Sequence, residues 1–186
     1  MNGSDAKRRT AETDEKASGD LLEDAFSRYQ GELLGTLYYL VGNLEDAQDA
    51  LQEAFLRCWR NRRGIGQINN LRAWIFRVAT NVARDIRKTA WRRRRKRFPE
   101  DESMLAATDS NPVADLNRKE QVILARRALM DLRHEEQEVF LLRQDGQMTY
   151  EEIGRSLHIP VGTVKTRMRL ALGKLREALA TEIDGS

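Results

Sequence analysis

Apolar residues recur at helical spacing along most of the chain. Leu22, Phe26, Tyr29, Leu33, Leu37 and Leu40 lie three or four apart, the interval that lines one face of an α-helix. This predicts a helix over roughly Leu21 to Val41, stopped by Gly42 and Asn43. A second stripe follows in Leu44 to Arg63, made of Ala47, Ala50, Leu51, Ala54, Phe55, Cys58 and Trp59. Its opposite face carries Asp46, Asp49, Gln52 and Glu53; acids lead and arginines follow, as the helix dipole favours. "GIGQINN", Gly64 to Asn70, reads as a loop. A third helix starts at Leu71, with Leu71, Ile75, Val78, Val82 and Ile86 as its buried stripe. On another face of it Arg77, Asn81, Arg84 and Lys88 fall in rows of three and four.

The second half repeats the style on a smaller scale. "DLNRKEQVILARRALMDL" opens a second helical domain near Asp115, and "HEEQEVFLLRQ" is a further helix. "MTYEEIGRSLHI" follows, with Thr149 and Glu152 in capping-box spacing and Ile153 and Leu157 pointing inward. "PVG" is read as a turn with Gly162 at the bend, and Thr163 as the start of the last helix. Val164, Met168, Leu172, Leu175 and Leu179 are its expected buried stripe. Lys165, Thr166, Arg167 and Arg169 are left on the exposed face.

Strand-like alternation is hard to find, and only 3 Pro and 12 Gly interrupt 186 residues. The expected fold is therefore all-α: two small helical domains joined by a flexible linker, the C-terminal one a helix-turn-helix. The expected boundaries are a flexible tail at 1–20, a first domain at 21–96, a linker at 97–114 and a second domain at 115–182. The linker assignment rests on "PEDESMLAATDSNP", rich in Pro, Ser, Asp and Asn.

Charge sharpens this picture. The net charge is only +3, but Arg84 to Arg97 holds nine Arg or Lys and one Asp, while Pro99 to Asp115 holds five acids and no base. Such asymmetry suits a nucleic-acid face beside an acidic connector, although a charge run is also the ordinary dress of a solvated helix. Three cations around Asn81 could follow a phosphate backbone with the amide near a base; a plain solvated face carries about equal weight. In a helix-turn-helix the second helix lies in the major groove. There Lys and Arg suit guanine edges and phosphates, and Thr can touch a thymine methyl.

Other chemistry is excluded or unsupported. The single cysteine, Cys58, allows no internal disulfide and fits a reducing cytoplasm; on an apolar stripe it reads as a core residue. No run of about 18 apolar residues is present, so no membrane insertion is expected. The N-terminus lacks the apolar middle of a signal peptide. His134 and His158 stand far apart without ligand-spaced partners, so no metal is expected. Neither a catalytic constellation nor a cofactor-binding motif is found. Trp91, inside the basic run, is harder to bury than Trp59 or Trp74.

Three stretches resemble the extracytoplasmic-function sigma factors, the small two-domain branch of the bacterial housekeeping sigma family. "DAQDALQEAFLRCW" looks like the family's clamp-binding helix. "LRAWIFRVATNVARDIRK" looks like its helix for the minus-ten promoter element. "MTYEEIGRSLHIPVGTVKTRMRLALGKLREAL" looks like its reader of the minus-thirty-five element. The resemblance implies a protein that binds core RNA polymerase, recognises both elements and helps melt DNA. It implies that Asp49, Gln52 and Glu53 dock on the clamp helices of the largest polymerase subunit. Asn81, with the loop ending in Asn69 and Asn70, would capture a flipped minus-ten base, while Arg77, Arg84, Arg87 and Lys88 hold phosphates. Gly162, Thr163, Lys165, Thr166, Arg167 and Arg169 would face the minus-thirty-five major groove. An anti-sigma factor is a further implied partner. Two departures stand out. "RHEEQE" replaces a stretch that often holds a proline, and "RLALGKL" replaces a more arginine-rich continuation of the last helix. A stand-alone regulator with a response-regulator-type helix-turn-helix is the alternative, since "TVKTR" suits that group too; a receiver domain would need strands that residues 21–95 do not offer.

Overall fold

The structure, a computed structural model, describes the backbone of residues 3–94 and 114–180 and the side chains of residues 14–89 and 122–180. Seven α-helices make up the described chain: α1 (Gly3–Val41), α2 (Leu44–Arg60), α3 (Leu71–Arg94), α4 (Ala114–Met130), α5 (His134–Gln144), α6 (Tyr150–Leu157) and α7 (Val161–Ala180). A short 3-10 helix, Arg62–Gln67, links α2 to α3. No strand occurs among the described residues. The expected linker at 97–114 lies outside the described residues except for Ala114, which starts α4; the basic run from Arg95 onward lies outside them too, as do the side chains of Trp91 and Arg92 to Arg94.

The first three helices form one packed unit. Leu22, Leu33, Leu37 and Leu40 from α1 are buried against Ala47, Ala50, Ala54 and Cys58 from α2. The alanines let the two axes approach closely, and Phe76, Ile75, Ala79 and Val82 from α3 close the third side. Phe76 has no exposed surface; truncating a phenylalanine so placed costs about 3–5 kcal/mol. Gly42 ends α1 at φ +93, a left-handed conformation that glycine enters without a Cβ penalty. Asn43 then caps α2, its side-chain oxygen accepting from the Asp46 amide at 2.8 Å.

Residues 3–20 were expected as a flexible tail; instead they continue α1. The segment is rich in Ala, Glu, Lys and Arg, all good helix formers, and it is tied down by tertiary contacts. Gly19 lies against the Trp59 ring, where a Cβ would approach within 3.0 Å. Glu15 accepts from Arg62 and, at 2.9 Å, from Arg63 Nε.

The second unit is built from α4 to α7. Val139, Leu142, Ile153, Val164 and Ala171 have at most 2% exposure and form its centre. Thr149 caps α6 in a capping box, its hydroxyl accepting from the Glu152 amide while the Glu152 carboxylate accepts from the Thr149 amide. The turn between α6 and α7 is made by His158, left-handed at φ 56, not by "PVG"; α7 already begins at Val161. Gly154 permits the tight return, because a Cβ there would come within 3.0 Å of the Ile159 carbonyl. Gly162, expected at the bend, sits exposed in the first turn of α7 with open space beside it. The inner stripe of α7 runs Val164, Met168, Ala171. Leu172 and Leu179 are exposed, contrary to expectation. The helix keeps its 3.6-residue period, and Leu172 lies one residue past the buried row.

Candidate nucleic-acid interface

On α7 the sequence reading and the structure agree about orientation. Lys165, Thr166 and Arg169 are exposed and Arg167 is half-exposed, opposite the buried Val164 and Met168. Lys165, Arg167 and Arg169 have no protein partner among the described residues, so their charges face solvent. The Thr166 hydroxyl donates to the Gly162 carbonyl at 3.0 Å, which leaves its methyl and lone pairs outward. Thr163 is half-buried, its amide bonded to the Pro160 carbonyl at 2.9 Å. It therefore belongs to the helix start more than to the outer face.

The α3 face is different. Asn81, Arg77 and Lys88 are exposed, but Arg84 is paired within the chain. Its Nε and one terminal nitrogen, Nη2, donate to Glu138 of α5, at 2.6 and 2.8 Å. These hydrogen bonds raise the Arg84 pKa above its usual value, outweighing burial. Arg87 is half-buried beside Glu138 and Glu135; burial lowers its pKa, though arginine remains a cation. Asn70 serves as a cap: its side-chain oxygen accepts from the Ala73 amide at 3.0 Å, the usual task of Asn before a helix. Asn69, beside it, is exposed. The expected open loop at Gly64 to Asn70 is largely the 3-10 helix, whose Ile65 is buried in the core.

On α2, Asp49 and Gln52 are exposed as expected. Glu53 is only partly so, because Arg57 Nε donates to it at 2.7 Å and carries on to Asp85 at 3.0 Å. Gln52 lies on the rim of an apolar groove of about 360 Å³ between α1 and α2, with Phe26, Leu51, Phe55 and Leu56. Cys58 is fully buried, and burial pushes its thiol up to about 12, so it is neither acid nor nucleophile. No cluster of three or more potential metal ligands exists among the described residues.

Comparison with known proteins decides what these faces belong to. The Sigma-70 region 2 model matches residues 25–97 and the Sigma-70, region 4 model matches residues 128–177. An RNA polymerase sigma-E factor of Streptomyces avermitilis is 33% identical over 171 residues, covering 88% of both chains. The chain belongs to the extracytoplasmic-function sigma factors. A Mycolicibacterium smegmatis relative, ECF RNA polymerase sigma factor SigE, is 32% identical over 77% of this chain, which spans 55% of that relative's length. The fold matches the sigma factor RpoE solved with the anti-sigma factor NepR from Bartonella quintana, at TM-score 0.67 and 21% identity, over 85% of this chain and 96% of that one. In this sigma factor, α1 to α3 supply region 2, and α5 to α7 with the end of α4 supply region 4. Sequence reasoning missed the groups that join the two: Thr36, Arg72, Glu138 and Asp145. They are separated by 54 to 109 positions, and no local pattern signals such pairing.

Proposed function

We propose that this sigma factor directs core RNA polymerase to promoters by a division of labour between its two regions. The exposed row Lys165, Thr166, Arg167, Arg169 on α7 enters the minus-thirty-five major groove, with Gly162 and Thr163 at its entry. Asn81 and Asn69 meet the opened minus-ten strand, Arg77, Arg84, Arg87 and Lys88 hold its phosphates, and Asn70 sets the start of α3 that carries them. Asp49, Gln52 and Glu53 dock on the clamp helices of the largest polymerase subunit, with the apolar groove beside Gln52 taking a side chain of the partner. The observation that carries the reading is α7: a helix held by a capped α6 and a buried inner stripe, presenting three cations that nothing in the described chain neutralises. Such a surface suits phosphates and guanine edges. The sigma factor acts in the cytoplasm, where polymerase and promoters are; no described helix is long and apolar enough to cross a membrane. A structural neighbour is a sigma factor held by an anti-sigma factor, and the same kind of partner is proposed here.

Run-off transcription tests this directly. Core polymerase with this chain should initiate from a promoter carrying both elements, and Arg84→Gln should lower open-complex formation. Absence of any core-dependent transcript contradicts the reading, and a silent Arg84→Gln contradicts the assignment of α3.

A further inference from the structure

The start of α1 is joined to the turn between α2 and α3 by a chain of specific contacts. Gly19 is buried under the Trp59 ring. Glycine inside a helix is less stable than alanine, so its place here is explained by that close approach. Trp59 stacks on Phe55 at 5.7 Å between ring centroids, and Phe55 meets Phe26 of α1 edge-on at 5.1 Å. On Trp59 lies the Arg62 guanidinium, 4.7 Å from the ring centroid. Arg62 Nη1 donates to the Trp59 carbonyl at 3.0 Å, and Nη2 donates to Glu15. Arg62 is thus fixed by a ring, a carbonyl and a carboxylate.

Glu15 divides its carboxylate between two arginines. Oε1 accepts from Arg62, and Oε2 accepts from Arg63 Nε at 2.9 Å. The two arginines differ in exposure: the Arg62 side chain is 26% exposed and that of Arg63 is 82% exposed. Arg63 is bonded through Nε alone, and its two terminal nitrogens meet no described residue. A guanidinium is planar and rigid, so holding Nε also sets the direction of the terminal edge. That edge offers two parallel donors of the kind that pair with a phosphate. Arg63 is the second residue of the 3-10 helix, whose Ile65 is buried and whose end is closed by the Ile68 amide donating to the Ile65 carbonyl at 2.9 Å. At about 2 Å per 3-10 residue and about 3.5 Å for each extended one, Arg63 stands within about 15 Å of Asn69.

We propose that Glu15 is a positioning residue for promoter opening: by holding Arg62 and the Nε of Arg63, it aims the terminal edge of Arg63 at a phosphate of the minus-ten strand beside Asn69. This rests on the assignment of Asn69 and Asn81 to that strand made above. A carboxylate near a phosphate also repels it. At about 7 Å in water with a Debye length of about 8 Å, that repulsion weakens binding by no more than about twofold. Ordering one rotamer-rich side chain in advance strengthens binding by about two- to tenfold. Aim therefore outweighs repulsion, and Glu15 assists the strand contact instead of masking it.

The test uses the full chain with core polymerase, titrated over a range of salt with a fluorescent single-stranded oligonucleotide carrying the minus-ten element. Arg63→Gln should weaken strand capture about tenfold and reduce the salt slope by about 0.7. Glu15→Asp keeps the charge but shortens the reach, so one carboxylate no longer holds both arginines. Capture should then weaken by about two- to tenfold with the salt slope unchanged. In the Arg63→Gln background Glu15→Asp should cost nothing more, a non-additivity that a merely structural tie does not produce. Binding of labelled core polymerase should stay at the parent level in every variant, and melting curves check that each folds. Unchanged capture in Glu15→Asp beside a weakened Arg63→Gln overturns the proposal, because Glu15 is then only a structural tie. Tighter capture overturns it too, and additive losses overturn the route through Arg63. Asn81→Ala separates the two ways of failing. If it weakens capture while Arg63→Gln and Glu15→Asp are silent, only the role of Glu15 and Arg63 is wrong. If Asn81→Ala is silent as well, the minus-ten assignment fails and this inference falls with it.

Discussion

The two cation-bearing faces of this sigma factor are built from similar residues and stand in opposite states. On α7, Lys165, Arg167 and Arg169 reach solvent with no partner among the described residues. On α3, Arg77 and Lys88 are open, but Arg84 is held by Glu138 and Arg87 is half-buried beside it. The difference comes from what stands opposite. The α7 face looks away from its own region, whose core holds Val164 and Met168 from behind. The α3 face looks toward α5, which carries a buried carboxylate in need of a cation. A basic row in a sequence thus does not say whether its charges are spent inside the molecule. Here one row faces solvent throughout, and one cation of the other is paired inside the molecule.

The largest expected effect comes from removing the support behind α7. Ile153 is fully buried under the helix-turn-helix, and Ile153→Ala should destabilise region 4 by about 2–5 kcal/mol. Urea unfolding followed on the two regions should show loss confined to region 4; equal loss in region 2 would mean that the two unfold as one. Next come the presented cations. Lys165→Ala or Arg169→Ala should each weaken promoter binding by about 1–3 kcal/mol if they read base edges. The loss should vanish on promoters without a minus-thirty-five element. By contrast, Arg77→Ala should weaken binding on every promoter alike and reduce the salt slope by about 1.

Smaller effects sharpen the α3 side. His134 starts α5, and its Nδ1 is buried without a partner. Burial lowers its pKa, with Arg87 adding to the effect and Glu138 and Glu135 opposing it. The folded form therefore prefers neutral histidine. Stability is full above the unfolded value of about 6.5 and falls as pH drops through the lowered folded value. Melting temperature should decline between pH 7 and pH 5, and His134→Gln should flatten that decline. An unchanged slope in the variant would assign the decline elsewhere. Smallest is Glu15→Gln, which loosens the Arg62 and Arg63 pairs. Partly exposed pairs contribute about 0–1 kcal/mol, so the melting temperature should fall by no more than a few degrees.

Much of this architecture is legible in periodicity alone. The stripes of α1 and α2 lie where the spacing of Leu22 to Leu40 and of Ala47 to Cys58 puts them, and the Thr149 capping box forms as its sequence implies. The failures have physical causes. Residues 3–20 have no apolar stripe, so nothing in their pattern reveals a helix that depends on Gly19 meeting Trp59 and Glu15 meeting Arg62. Leu172 follows the expected 3–4 rhythm from Met168, yet the small Ala171 fits the core better and turns Leu172 outward. Asn70 has the chemistry of a base reader but stands one position before α3, where capping takes its oxygen. Glu138 was visible as part of a stretch departing from the family pattern, "RHEEQE". Its partner, 54 positions earlier, was visible only as one member of a basic row.

The division of labour between α7 and α3 can be measured on one promoter carrying both elements, with reconstituted polymerase, by comparing binding with permanganate reactivity of minus-ten thymines. Lys165→Ala should lower the amount of complex formed while the complexes that do form melt DNA as well as the parent. Arg84→Gln should leave binding nearly intact and lower the reactive fraction. If both variants lower binding and melting by the same factors, the two faces do not do separate work and the account is wrong.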